Sequence, residues 1–462
     1  MDFGSRKVPE ELLIEIIEHG HPGTLERGQG QRSKFYPVAL TQVCRRWRTV
    51  VLGAPTLWAN IRIARKYSTE QIKDIIHTCL ERSKMCPISL TWYWRSRTDD
   101  VDIIRVVLDH LIVPYAERMQ RITVLIDDHG QINIDAFLAV TESLDFPILR
   151  DVEIFSDASS TLTRTLGRNV PLLRRCRLHC SFLLQPLPSN LVVLDYSYPL
   201  HREDTTNIHR LLEFLPHVAH SLEHLRSRLP LSKISFSADG SKINLQNLKS
   251  LIVENNHIIM DHILVPNLIY FAGLRLLYEG VEVDKMFNNF SAPKLQSIRF
   301  YKTPLSCLLA QHEVLKMFSQ LESVVLVHCG DESSFIQLLE PLKPEEPFSL
   351  GGALENPFPN LKELAISDTK NWTSLLAMIE KRLKNNNKSL RKVLFPQMQG
   401  NFSATDISLA PMRWLSEQGI EHVVYNLNWA QQTILSVPPE FQDNFWNKER
   451  FNERLSDHYF SR

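Results

Sequence analysis

With 462 residues, 44% of them hydrophobic, the chain has room for two or three domains of about 150 residues or for one long repeat array, and its composition is not that of a disordered segment. The 52 Lys and Arg balance the 52 Asp and Glu, so no basic excess exists to neutralise a phosphate backbone or hold an anionic membrane, and neither partner is expected. No signal-like segment opens the sequence and no apolar run approaches about 18 residues, which points to a cytoplasmic and/or nuclear protein. Seven scattered cysteines, an odd number, read as free thiols in such a compartment.

In chain order, Pro9 to Glu18 (PEELLIEIIE) predicts a short helix, with proline at its start, acids in the first turn, and Leu12, Leu13, Ile16 and Ile17 on one face. Gly20 to Lys34 is rich in glycine and polar residues and reads as a loop. Pro37 to Leu52 predicts a second helix, with Val38, Val43, Trp47, Val50 and Val51 near one stripe and Cys44 beside it. Gly53-Ala54-Pro55 then breaks the chain, Leu57-Trp58 falls on a turn, and Ile61 and Ile63 alternate as a strand does.

The order V-P-x-E-L-L-x-x-I-I, V-C-R-R-W-R and A-P-x-L-W over these first 60 residues resembles the F-box. Val8 stands where leucine is usual, and the Gly20 to Lys34 loop replaces a compact link. The resemblance implies docking onto a Skp-family adaptor, and through it onto the cullin of an SCF-type ubiquitin ligase. By position it implies that Pro9, Leu12, Leu13, Ile16, Val43, Cys44, Trp47, Leu57 and Trp58 either pack inside the module or touch the adaptor. A second reading of the same helices is a cap over the open end of a repeat array.

Downstream, ten segments fit L-x-x-[apolar]-x-[mostly apolar], beginning at Leu149, Leu173, Leu191, Leu222, Leu248, Leu268, Leu295, Leu321, Leu361 and Leu390. Most gaps lie near the period of about 20 to 29 residues of leucine-rich repeats, which this part of the chain resembles. The longest gap holds a Pro/Gly/Glu-rich insertion, 341–359. The rungs are irregular: the sixth position is glycine at Gly273 and serine at Ser227, and the Asn or Cys that usually follows the strand is mostly missing. Ile88 to Leu90 and Ile122 to Ile126 read as earlier strands, with a helix over Ile103 to Met119 between them. Ile208 to Leu215 and Leu375 to Leu383 read as outer helices, and His422 to Asn428 as a final strand.

The expected fold is α/β: a helical module over 1–60, a solenoid of irregular leucine-rich repeats over 61–430 with parallel strands on a concave face and helices outside, and a helical cap or tail over 431–462. Alternation places positions three and five of each rung on the concave face, where Asp151, Glu153, Arg175, Arg177, Asp195, Arg226 and Arg299 give charges that change sign along the array. One reading is a target-binding surface carried by Arg175, Arg177, Asp195, Arg226 and Arg299. The other is pairing between neighbouring strands.

His217, His220 and His224 lie near one helix face, but no fourth ligand is evident, so no metal is expected. No phosphate loop, dinucleotide fingerprint, nucleophile elbow or zincin motif occurs. No cofactor is expected and the chain does not read as an enzyme. The function this implies is substrate recognition for an SCF-type ligase, holding the adaptor at one end and an unidentified protein target along the repeats. The rivals are a binding scaffold outside ubiquitination and an enzyme whose residues assemble only in space.

Overall fold

The computed structural model describes residues 8–19, 36–63, 67–95, 101–127, 131–156, 165–180, 188–197, 206–229, 242–255, 258–276, 292–303, 318–327, 329, 336, 358–366, 372–384, 389–396 and 410–425. The Gly20 to Lys34 loop, residues 341–357 of the expected insertion and the expected cap over 431–462 lie outside them. Two compact units divide the chain, Met1–Pro199 and Leu200–Arg462. Both are mixed α/β with parallel strands, which is the expected fold class at that level.

The first unit opens with α1 (Glu10–His19), α2 (Tyr36–Leu40), α3 (Arg45–Gly53) and α4 (Pro55–Trp58). The single helix expected over Pro37 to Leu52 is therefore two. Cys44 is extended and caps α3, its Sγ accepting from the Trp47 amide at 3.5 Å, and Arg48 Nε donates to the Thr41 carbonyl across the break at 2.9 Å. A cysteine is a weak capping residue, which is why the interruption left little mark in the sequence. Leu57 and Trp58, expected on a turn, lie in α4, whose first residue is a proline that fits N1.

Six strands follow in chain order, all parallel: β1 (Asn60–Ile63), β2 (Ile88–Arg95), β3 (Met119–Asp127), β4 (Asp151–Ser156), β5 (Arg175–His179) and β6 (Val193–Ser197). Helices α5 (Thr69–Ser83), α6 (Val101–Val107) and α7 (Gln131–Thr141) lie in the crossovers. The helix expected over Ile103 to Met119 ends early, passing through a π turn at Leu108–Ile112 and a 3-10 turn at Ala116–Arg118. Pro114 lies between those turns and has no N–H to continue a helix. Helix α5 was not anticipated, although Ser68 and Gln71 form a reciprocal capping box and Ile72, Ile76 and Cys79 are buried along one side.

The second unit holds eight parallel strands, again neighbours in chain order: β7 (His224–Arg228), β9 (Ser250–Glu254), β11 (Tyr270–Leu274), β12 (Ser297–Tyr301), β13 (Ser323–Val327), β14 (Glu363–Ile366), β15 (Lys392–Pro396) and β16 (Glu421–Tyr425). A separate pair joins β8 (Ile243–Asn244) to β10 (Ile263–Leu264). Helices α8 (Thr206–Val218), α9 (Ile258–His262), α10 (Trp372–Lys384) and α11 (Ala410–Glu417) complete it. Among the described residues no helix is long and apolar enough to cross a membrane.

All ten rungs read from the sequence become strands, and each strand starts two residues after its first leucine. The backbone explains why. Before the strand a tight turn closes onto the leucine, as Leu173 N–H donates to Val170, Leu268 to Val265 and Leu295 to Ala292. After it, the second-position carbonyl accepts two amides from the next rung: Glu223 takes Lys249 and Ser250, Lys249 takes Ile269 and Tyr270, and Ile269 takes Gln296 and Ser297. The buried leucine and this shared acceptor fix the register without help from position six.

The far end of each strand repeats as well. Asn255, Arg275 and Lys302 occupy position eight with positive φ, and their amides donate to Leu274, Tyr301 and Val327 of the following rungs. At position nine, Thr303 Oγ1 reaches the Gly273 carbonyl at 3.4 Å and Cys329 Sγ reaches the Phe300 carbonyl at 3.3 Å. Thr303 thus stands in for the usual Asn or Cys, while the rung of Cys329 is one of the few that carries the usual residue.

Gly273 itself is required by packing. A Cβ there would meet Leu276 Cδ1 at 2.5 Å and the Phe300 ring at 2.9 Å, where Phe271 and Phe300 already pack edge to face. Gly273→Ala is expected to cost about 1–3 kcal/mol through overpacking, read as faster amide exchange in β11 and β12. Unchanged exchange there would count against this contact.

Candidate functional site

The N-terminal helices divide the motif residues in a way the sequence left open. Leu13 and Ile17 of α1 are buried, as are Val50, Val51, Leu57 and Trp58. Trp58 Nε1 donates to the Val51 carbonyl at 2.8 Å, and the Arg82 guanidinium lies 4.3 Å from its ring centre. Arg46 Nη2 donates to the Val8 carbonyl, tying the start of α1 to α3. Trp47 is half-buried, and Pro9 and Cys44 are exposed.

Leu12, Ile16, Val43 and Leu52 are left 49%, 57%, 60% and 43% exposed. The expected single apolar face of α1 is thus two rows, one packed inward on Leu13 and Ile17 and one open to solvent on Leu12 and Ile16. Of seven exposed large apolar side chains among the described residues, these four fall between residues 12 and 52. Isolated apolar side chains on a surface need no explanation; four of them within one short module make it the candidate interaction surface. Leu52, near the end of α3, was not among the expected residues.

No family model matches the chain, and no curated protein matches it significantly.

On the polar face of the strands, of the two readings open from the sequence, it is the pairing between neighbouring strands that is seen. Arg177, Asp195, Arg226 and Arg299 are 8% exposed or less, and only Arg175 of the expected set keeps partial access. They do not form an open polar surface; the charges pair between strands. Asp151 sits between Arg121, at 2.8 Å, and Arg175. Arg177 lies between Glu153 at 2.8 Å and Asp195 at 3.1 Å, its register partners on β4 and β6. Burial alone would lower the Arg177 guanidinium, yet the two carboxylates hold it above its ordinary value. In the second unit, Arg226 and Arg228 share Glu254 at 3.3 and 3.5 Å, and Arg299 lies over the Tyr270 ring at 5.2 Å. Arg228 and Glu254 were missed because the sequence reading stopped at position five, although position seven shares its face.

His217 and His220 are exposed while His224 is buried on β7, so the three do not share a helix face; no metal-binding cluster exists among the described residues. A cleft of about 330 Å³ lined by Thr56, Leu57, Ala59, Asn60, Cys86, Pro87, Ser89 and Gln120 presents no charged side chain. The thiols differ sharply in access. Burial pushes the Cys79 thiol up to about 12, and burial beside Cys180 and Asp195 pushes the Cys176 thiol up too. Cys44 is exposed. Iodoacetamide at pH 8 is expected to label Cys44 in the native chain and to reach Cys79 and Cys176 only after unfolding; native labelling of Cys176 would contradict its packing.

Proposed function

We propose that the chain is the substrate-recognition subunit of an SCF-type cullin-RING ubiquitin ligase. In this reading, Leu12, Ile16, Val43 and neighbouring Leu52 dock a Skp-family adaptor, and the repeat-bearing part of the chain holds a protein target. Leu13, Leu57 and Trp58 serve the same purpose from inside, by fixing the helices that present the docking row.

The observation that carries this is the pairing of motif order with exposure: three residues that the F-box resemblance puts forward are large, apolar and left in water. A mere end cap would turn these side chains inward against the strands. The role needs no catalytic group of its own, because holding a target near a ubiquitin-charged enzyme raises its effective concentration there. It also places the protein in the cytosol or nucleus, where such ligases work.

The test is capture of the full chain by a purified Skp-family adaptor. Binding supports the reading; no binding by a well-folded chain overturns it and leaves a repeat-bearing scaffold outside ubiquitination.

A further inference from the structure

Position two of each rung stands just before its strand. In the second unit, charges there pair with opposite sign between successive rungs: Lys249 Nζ lies 2.6 Å from Glu223, and Lys362 Nζ 2.8 Å from Glu322. The first unit has like charges instead. Arg150 and Arg174 hold position two of the rungs that lead into β4 and β5, and the Arg174 amide donates directly to the Arg150 carbonyl at 2.9 Å. Both side chains are exposed, and neither guanidinium is paired among the described residues.

Asp151, next to Arg150 in sequence, is shared by Arg121 and Arg175, and Asp145 is held by Arg168. Neighbouring rungs stand about 4.8 Å apart, so two cations are held side by side. Like-charge repulsion disfavours that arrangement, and one oxyanion between two forked donors would relieve it. The pair also has an uncharged neighbour. The Arg150 amide donates to the Gln120 carbonyl at 2.9 Å, and Gln120 lines the cleft of about 330 Å³ that reaches Ser89, Asn60 and Thr56. One wall of this cleft is fixed: Arg118 Nη2 donates to the buried Ser83 hydroxyl and to the Cys86 carbonyl, each at 2.9 Å.

We propose that the strand-start rim of the first unit, from Arg174 and Arg150 through Gln120 into the cleft, binds an extended acidic segment of a protein partner. An oxyanion side chain of that segment lies between the two arginines, and uncharged residues beside it enter the cleft. The four strand spacings from β5 to β1 span about 19 Å, the length of roughly six extended residues. Arginine clusters recognise carboxylate and phosphate alike, so glutamate and phosphoserine are both admitted by this chemistry. One pair of cations beside an uncharged cleft, in a chain whose formal charges balance, suits one or two anionic side chains and not a continuous polyanion such as nucleic acid. As the place where a target is held, the site rests on the function proposed above. Peptide binding and adaptor capture are separate measurements, so either reading fails without the other.

The test presents the immobilised full chain with peptide libraries randomised around a fixed glutamate pair, a fixed phosphoserine or a fixed serine. At least one anionic library is expected to be retained roughly ten-fold or more over the serine library. Bound peptides are expected to favour uncharged residues about two to five positions to one side of the anion. The double variant Arg150→Gln, Arg174→Gln is expected to remove the excess; both side chains are exposed, so neither change cuts into the core. Arg391→Gln, at the exposed position two before β15, is expected to keep it. Whichever anionic library is retained identifies the oxyanion. No excess for either, or an equal loss in the Arg391 variant, overturns the proposal. Random flanking residues take the cleft out of the site, and a single-stranded oligonucleotide that binds more tightly than the retained peptides overturns the choice of a protein partner.

Discussion

Replacing Leu12 and Ile16 together by aspartate is expected to abolish adaptor capture while the far-ultraviolet spectrum and thermal midpoint of the full chain stay unchanged. Both side chains stand about half in water, so neither substitution removes a core contact. In a complex, each would instead bring a charge into a desolvated apolar contact. Residues at such centres typically contribute about 2–4 kcal/mol each, which is at least a hundred-fold in affinity for the pair. The neighbouring row behaves differently: Leu13→Ala or Ile17→Ala cuts into packing and is expected to cost about 2–5 kcal/mol of stability. Titration calorimetry with the adaptor, alongside circular dichroism of each variant, separates the two effects. Undiminished capture by the aspartate pair would sink the docking assignment.

The second large effect lies in the buried charges of the first unit. Arg177→Met leaves Glu153 and Asp195 without the cation that lies 2.8 and 3.1 Å from them. Removing one member of a buried ionic cluster typically costs about 3–5 kcal/mol, because the remaining charges stay out of water unpaired. The triple variant Glu153→Gln, Arg177→Met, Asp195→Asn is expected to recover much of that loss, since no uncompensated charge remains. Hydrogen exchange over β4, β5 and β6 reads both results. A loss below about 1 kcal/mol in the single variant would mean that water reaches these carboxylates.

The rungs were legible because a buried leucine two residues before each strand is a one-residue signal that survives degenerate neighbours, as at Ser227 and Gly273. Their spacing also marked the parallel order, since each gap is long enough for a crossover. What lies against each face was not legible. Alternation separates Arg177 from Cys176 and Leu178, but it says nothing about whether water or protein meets the arginine. The same limit divided α1: Leu12 and Leu13 are identical side chains one position apart, and only the placement of α3 makes one core and the other surface. At the strand ends, Thr303 escaped notice because a hydroxyl can replace the usual Asn or Cys, and the pattern sought was a residue type, not a hydrogen bond.

The second-position carbonyls that accept two amides from the next rung have an evolutionary consequence. From β7 to β15 every joint between successive rungs is made by the same few backbone atoms, largely indifferent to side-chain identity. An in-frame duplication or deletion of one whole rung would therefore recreate an equivalent joint on both sides, changing the length of the stack and leaving its seams intact. Gain or loss of complete rungs is then the easiest route by which a chain of this design changes its length.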